Sequence, residues 1–125
     1  MHSRLLALCI IICFACGCDV KSGEIPKGSL ADGDASSGNQ LYQQHCSGCH
    51  GESGRGDGPG AKNINPKPVD HTNKQYMSAL SDQHLFAVVR RGGKDVGRPA
   101  MPPFPNLSDN EIKDLIAYMR SISVQ

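Results

Sequence analysis

Residues His45 to Glu52, HCSGCHGE, place two cysteines and two histidines within eight residues of sequence. Two cysteines at this spacing can bind zinc, form a redox-active dithiol, belong to a disulfide framework or attach a haem. The choice depends on the other four cysteines of the 125-residue chain, and on which residue could lie opposite His50.

The other four cysteines all lie within the first 18 residues, MHSRLLALCIIICFACGC. Here Arg4 precedes an apolar run from Leu5 to Ala15, which is followed by small residues. The run is shorter than the roughly 20 residues needed to cross a bilayer. Its basic start and small-residue end are typical of a secretory signal. Residues 1–17 are therefore predicted to be a signal peptide that is removed.

The end of this signal, FACGC, resembles a bacterial lipobox, in which small residues precede a cysteine that is lipidated and becomes the N-terminus. Cys18 is the predicted lipidation site, Cys16 is the alternative, and cleavage without lipidation stays open. Asp19 after Cys18 resembles the enteric signal for retention in the inner membrane. We expect a lipid anchor on the periplasmic side of a bacterial membrane, the inner membrane being favoured; a soluble periplasmic form is the alternative.

The mature chain divides into a tether and one small domain. Residues 18–36 are rich in Gly, Ser, Asp and Lys without hydrophobic periodicity, which predicts a flexible tether, and residues 37–125 form the domain. Removing Arg4 with the signal leaves 12 of the 13 Lys and Arg against 12 Asp and Glu. No basic stripe predicts nucleic-acid binding. No catalytic dyad or nucleotide-binding loop is present, so we expect neither an enzyme nor a small-molecule substrate.

Only Cys46 and Cys49 remain as thiols in this domain, which excludes a disulfide framework. A zinc site would need a second pair of ligands, and His71 and His84 do not have the required spacing. A thioredoxin-like dithiol would need a βαβ context, which is absent. C-x-x-C-H is the attachment motif of a c-type haem, whose two vinyl groups take the two thiols while His50 binds the iron.

Helical patterns dominate the rest of the domain, and no strand pattern is evident. A first helix begins near Ser37, residues 73–80 favour a short helix, and another runs from Ser81 to Gly92. Residues 51–68 hold too many Gly and Pro for a helix and are expected to wrap a ligand. The last helix has a capping box at Ser108 and Glu111 and an apolar face at helical spacing, formed by Ile112, Leu115, Ile116 and Met119.

A second axial ligand is expected from the loop RPAMPPF. Met101 lies there between prolines that stiffen the backbone, so its thioether can be held at low entropic cost. A methionine ligand would raise the reduction potential. Met77, His71 and His84 are the other candidates for this position. Met77 and Met119 are predicted to be core residues.

These segments resemble class I c-type cytochromes with one haem and His/Met ligation. The resemblance covers the chain from about Gly38 to the end, through GNQLYQQHCSGCHG, GRGDGPGA, NPKPVD, LFAVVRRGG, PAMPPF and LSDNEIKDLIAYMRSI. It implies an all-α cytochrome c fold of three to four helices and Gly/Pro-rich loops around one covalent haem c. It also implies that the first helix crosses the last, Gly38 and Tyr42 meeting Leu115 and Tyr118. A proline carbonyl would accept the ring N–H of His50, Pro59 being the first choice and Pro66 the second.

An iron with both axial positions filled has no open site for substrate, which favours one-electron transfer in a periplasmic or membrane-associated respiratory chain. The expected partners are a redox protein donor and a redox protein acceptor. Two alternatives stay open: a haem-bearing subunit of a larger oxidoreductase, and a haem gas-binding or sensor protein. Four basic residues lie close together before Met101: Arg90, Arg91, Lys94 and Arg98. Three interpretations of this cluster stay open: a solvated helix end, a docking rim for an acidic partner, or a contact to a haem propionate.

Overall fold

The computed structural model describes Leu30 and residues 32–123, and it contains helices and loops without a β-strand in that part of the chain. The predicted signal peptide (1–17), Cys16, Cys18 and most of the tether lie outside the described residues. The all-α prediction is confirmed. The described residues contain five α-helices: α1 Ala35–His45, α2 Ser47–His50, α3 Lys74–Ser78, α4 Asp82–Arg91 and α5 Asp109–Ile122. The second and third have only four and five residues, and short 3-10 helices lie at Pro59–Ala61 and Lys94–Val96.

The first helix begins earlier than predicted. Asp34, and not Ser37, is its N-cap, and the Asp34 carboxylate accepts a hydrogen bond from the Ser36 N–H at 2.9 Å. The Asp34 N–H donates to the side chain of Asp114 at 2.7 Å, and Leu30 is buried in the core. Asp is as good an N-cap as Ser, and here its backbone is extended, as capping requires. The predicted boundary at Ser37 is therefore wrong, because residues before it already pack against α5.

Helices α1 and α5 cross at a glycine. A Cβ atom on Gly38 would lie 1.9 Å from the backbone oxygen of Asp114 and 2.9 Å from the Tyr118 Cβ, so only glycine permits this approach. One turn later, the fully buried Tyr42 packs its ring 5.0 Å from the ring of Tyr118. This is the crossing that the family resemblance implied.

Both predicted ends of α4 and the predicted start of α5 are confirmed. Ser81 caps α4 by accepting from the His84 N–H, and Gly92 ends it with a φ of 83°. Ser108 and Glu111 form the capping box of α5. The periodicity of α5 also holds, because its four apolar positions are all buried.

Arg120 joins α5 to the start of α4, a role that no sequence pattern indicated. Its guanidinium donates to the carbonyl oxygens of Met77 and Leu80, both at 2.6 Å, and to the carboxylate of Asp82 at 2.7 Å. These contacts satisfy the carbonyls at the end of α3 and fix the turn into α4. Among the described residues, no helix has the length and apolar content needed to span a membrane.

Replacing Gly38 tests the helix crossing. We expect Gly38→Ala to lower the free energy of unfolding by about 2–3 kcal/mol, because its methyl group would force α1 and α5 apart. Gly48→Ala is the matched control, since a Cβ at that helical glycine meets nothing within 4 Å. It should change stability by less than about 1 kcal/mol. Denaturant unfolding followed by circular dichroism measures both; equal effects would contradict the tight crossing.

Candidate functional site

One largely apolar cavity is lined by all four predicted cofactor residues, Cys46, Cys49, His50 and Met101. Its walls come from all five α-helices and from the loops before α3 and before α5. The apolar wall residues include Ile64, Pro66, Pro68 and Val69 from the loop before α3, Met77 from α3, Leu85, Val88 and Val89 from α4, Val96, Pro102 and Phe104 from the loop before α5, and Leu115 and Met119 from α5. The fold thus brings Cys46 and Met101, which lie 55 positions apart in sequence, to the same cavity.

The two cysteines lie where α1 passes into α2, and both are free thiols in the structure. Burial, and secondarily the neighbouring Cys49, raises the pKa of the Cys46 thiol to about 12. A redox-active dithiol instead depends on a thiol of lowered pKa. No group of three or more His, Cys, Asp or Glu side chains in the described residues is arranged to hold a metal ion. The raised pKa of Cys46 disfavours the rival dithiol interpretation.

His50 is buried, and its ring is held by one hydrogen bond. The Nδ1 atom lies 3.0 Å from the carbonyl oxygen of Val69, and because a carbonyl can only accept, Nδ1 carries the proton. The Nε2 atom is then the unprotonated nitrogen available to a metal. Burial lowers the pKa of His50, the bond to Val69 opposes this, and the charge of Arg98 adds to the lowering. Neutral imidazole is the form that binds metal.

The acceptor for His50 corrects the prediction of Pro59 or Pro66. Pro59 begins a 3-10 helix and is exposed, and Pro66, although it lines the cavity, is also exposed. The carbonyl that lies within hydrogen-bond distance of the His50 ring is that of Val69, three residues after Pro66 in the same loop. A backbone carbonyl therefore accepts from the His50 ring, as expected, but it belongs to Val69 and not to a proline.

His71 lies against His50 and cannot be the second axial ligand. The two imidazole rings are stacked, with centroids 4.3 Å apart and planes at 15°. Rings in van der Waals contact leave no space for an iron between them. Burial, and secondarily the charge of His50, lowers the pKa of His71 to about 3, so the ring is neutral near pH 7.

Met101 reaches the cavity from a loop tied to the end of α4. The Gly93 N–H donates to the Met101 carbonyl at 3.0 Å, and the Phe104 N–H donates to the Val89 carbonyl at 3.0 Å. The Met101 side chain is half-buried and lines the cavity. Met77 and Met119 are buried, as predicted for core residues. His84, the other histidine candidate, also lines the cavity from the first turn of α4.

The basic residues that were grouped in the sequence separate in the structure. Arg90 donates to the carbonyls of Pro105 and Leu107 and to the carboxylate of Asp109, which fixes the entry to α5. Arg98 lines the cavity, and its Nη1 donates to the Lys67 carbonyl at 2.6 Å. This bond joins the Met101 loop (residues 93–107) to the Val69 loop (residues 62–73). Arg98 therefore connects the two loops that present Met101 and the partner of His50.

The donor set fits a covalently attached haem. Two free thiols three residues apart, an imidazole whose Nδ1 is already bonded and a thioether line one cavity with apolar walls. Thiols supply thioether attachment, and imidazole and thioether supply axial ligands of a c-type haem.

The chain also matches a known protein family. Residues 33–119 match the family described as cytochrome C oxidase, cbb3-type, subunit III. Cytochrome c-551 of Bacillus subtilis (strain 168) is 37% identical over 78 residues, which cover 57% of this chain and 70% of that protein.

Two solved structures share the fold. The KustC0563 c-type cytochrome superposes with a TM-score of 0.56 at 26% identity, covering 68% of this chain and 95% of that chain. The Kuenenia stuttgartiensis reducing HAO-like protein complex Kustc0457/Kustc0458 contains a chain that superposes with a TM-score of 0.57 at 23% identity. That match covers 79% of this chain and 44% of the other, so the present chain spans less than half of its length.

The bond from Arg98 to Lys67 can be tested by amide hydrogen exchange. We expect Arg98→Ala to speed exchange in residues 98–104 about tenfold, because a hydrogen bond from a charged donor contributes about 1.5 kcal/mol. Arg91→Ala is the matched control, since Arg91 is an exposed arginine on the last turn of α4. Mass spectrometry of peptic fragments measures both, and an equal response would contradict the assigned role.

Proposed function

Since this chain belongs to the class I c-type cytochromes and carries covalently bound haem c, we propose that it is a mono-haem carrier of single electrons on the periplasmic side of a bacterial membrane. The observation that carries the proposal is the single cavity lined by Cys46, Cys49, His50 and Met101. One C-x-x-C-H motif in the sequence supports one haem per chain.

In this proposal Cys46 and Cys49 would hold the haem covalently through their sulfur atoms, and His50 and Met101 would bind its iron. When bound, the haem iron supplies the one-electron redox couple. The Val69 carbonyl holds the proton on the Nδ1 atom of His50, which directs Nε2 towards the metal. The apolar walls exclude water, which favours the less charged ferrous state together with the thioether ligand.

Electron transfer is favoured when the ligands and surroundings of the iron move little as the charge of the iron changes. The Met101 loop is held by backbone bonds to α4 and by Arg98, so its thioether would stay in place in both oxidation states. If His50 and Met101 both bind the iron, no coordination site would be left for a substrate. These features support a carrier that meets a redox protein donor and a redox protein acceptor in turn.

A second candidate is a haem-bearing subunit of a larger oxidoreductase. It is favoured by the family description, which names a subunit of an oxidase, and by the solved complex that contains a related fold. The electron-transfer chemistry of the domain would be the same in both cases. Purification from native membranes discriminates between them, because a subunit would remain with its complex and a carrier would not.

The axial assignment of Met101 predicts a specific spectrum. Ferric protein with a bound thioether should show a sulfur-to-iron charge-transfer band near the red edge of the visible range, and Met101→Ala should abolish it. The reduction potential should fall, because loss of thioether ligation removes a preference for ferrous iron. Met119→Leu, which alters a buried methionine of α5, is the matched control and should keep the band. Survival of the band in Met101→Ala would show that the assignment is wrong.

The proposed lipid anchor on Cys18 predicts membrane association. We expect the mature protein to sediment with membranes and its N-terminal peptide to carry a mass increment for acyl chains. Cys18→Ser should move the haem-stained protein to the soluble periplasmic fraction, whereas Cys16→Ser should leave it on the membrane. The opposite pattern would assign the anchor to Cys16, and no change in either variant would contradict lipidation.

A further inference from the structure

His71 is a buried histidine that neither attaches the cofactor nor binds the metal in the proposed function. It nevertheless contacts His50, the proposed iron ligand, because the two rings are stacked with their centroids 4.3 Å apart. The ring is fixed at a second point, where its Nδ1 atom lies 2.9 Å from the hydroxyl oxygen of Tyr42. A side chain serving only to fill space would need neither contact.

The bond between Tyr42 and His71 has one favourable arrangement. Tyr42 is fully buried, and its hydroxyl has no other hydrogen-bond partner among the described residues. If His71 donated from Nδ1, the hydroxyl proton of Tyr42 would be left without an acceptor, which is costly in a buried site. The hydroxyl therefore donates to Nδ1, and the neutral His71 ring carries its proton on Nε2.

Backbone hydrogen bonds hold the His71 ring beside His50. The His71 N–H donates to the Gly54 carbonyl at 2.7 Å, and two residues earlier the Val69 carbonyl accepts from His50. One short segment thus contacts His50 twice, through a carbonyl at its edge and a ring at its face. A single hydrogen bond would allow the His50 ring to turn about that bond, and contact with the stacked His71 ring opposes such a turn.

We propose that His71, anchored by Tyr42, is a positioning residue that sets the plane of the His50 imidazole and modulates the reduction potential of the iron. The proposal rests on the proposed function, in which His50 is an axial ligand. Contacts beyond the first ligands orient those ligands and tune the metal they bind. The electron-rich face of His71 would favour the more positive ferric state, so its loss should raise the potential.

The test compares three variants of the full holoprotein: His71→Leu, which removes the stack and the anchor, Tyr42→Phe, which removes the anchor alone, and Tyr118→Phe, the matched control. Tyr118 also packs against Tyr42 but is not bonded to His71. Each ferric protein is examined by electron paramagnetic resonance and by the NMR shifts of the haem ring methyls, both of which respond to the plane of the axial imidazole. A redox titration gives the potential.

We expect the methyl shifts and the largest g value to move in His71→Leu, with a smaller displacement in the same direction in Tyr42→Phe and none in Tyr118→Phe. The potential should rise in His71→Leu. If His71→Leu fails to take up haem, Tyr42→Phe alone decides the question. Spectra like those of the wild type, with only a lower melting temperature, would overturn the proposal. Failure of the proposed function would be seen differently, as the absence of a low-spin ferric signal in the wild-type protein.

Discussion

The close contact of α1 with α5 at Gly38 is the constraint on which the site depends. It brings Tyr42 into the centre of the domain, where the hydroxyl bonds His71 and the ring packs against Tyr118. His71 in turn lies on His50, which emerges from the same chain segment as the two cysteines. A side chain larger than hydrogen at Gly38 would disturb the contacts from Tyr42 through His71 to His50. The reason is that Gly38 meets the backbone of α5 and not a flexible side chain.

The cofactor completes a core that the chain could not build alone. Domains of this size bury a modest share of their surface, and this sequence has no Trp and only 5% aromatic residues. Side chains from α3, α4, α5 and both long loops line the cavity, and several of them, such as Met77, Leu85 and Leu115, also belong to the buried core. A bound haem would supply the missing apolar surface, which connects the stability of the fold with the chemistry of the site.

Features set by short stretches of sequence could be predicted well. The capping box at Ser108, the end of α4 at Gly92 and the small helix after Asn73 depend on neighbours within four residues, and the structure shows each of them. The crossing of α1 and α5 at Gly38 was predicted from the family resemblance. The C-x-x-C-H motif indicated the cofactor because three residues within five positions supply two thiols and an imidazole.

Features that depend on distant residues could not be predicted in the same way. Val69 replaced the expected proline because the path of a Gly/Pro-rich loop decides which carbonyl reaches His50. Asp34 was missed because the bond that holds it reaches Asp114, 80 residues away. Arg98 and Arg120 donate to backbone carbonyls 31 to 43 residues distant, and such carbonyls have no sequence signature. A histidine such as His71, whose partners come from α1 and α2, likewise looks unremarkable in the sequence.

The central claim is that both axial positions of the haem iron are filled by the protein, so that the domain transfers electrons and does not bind small ligands. Mixing the reduced protein with carbon monoxide in a stopped-flow spectrophotometer tests this most directly. The account predicts that the Soret band stays unchanged over minutes at neutral pH. A shift of that band within milliseconds would show an open or readily displaced site, and would contradict the claim in favour of a gas-binding protein.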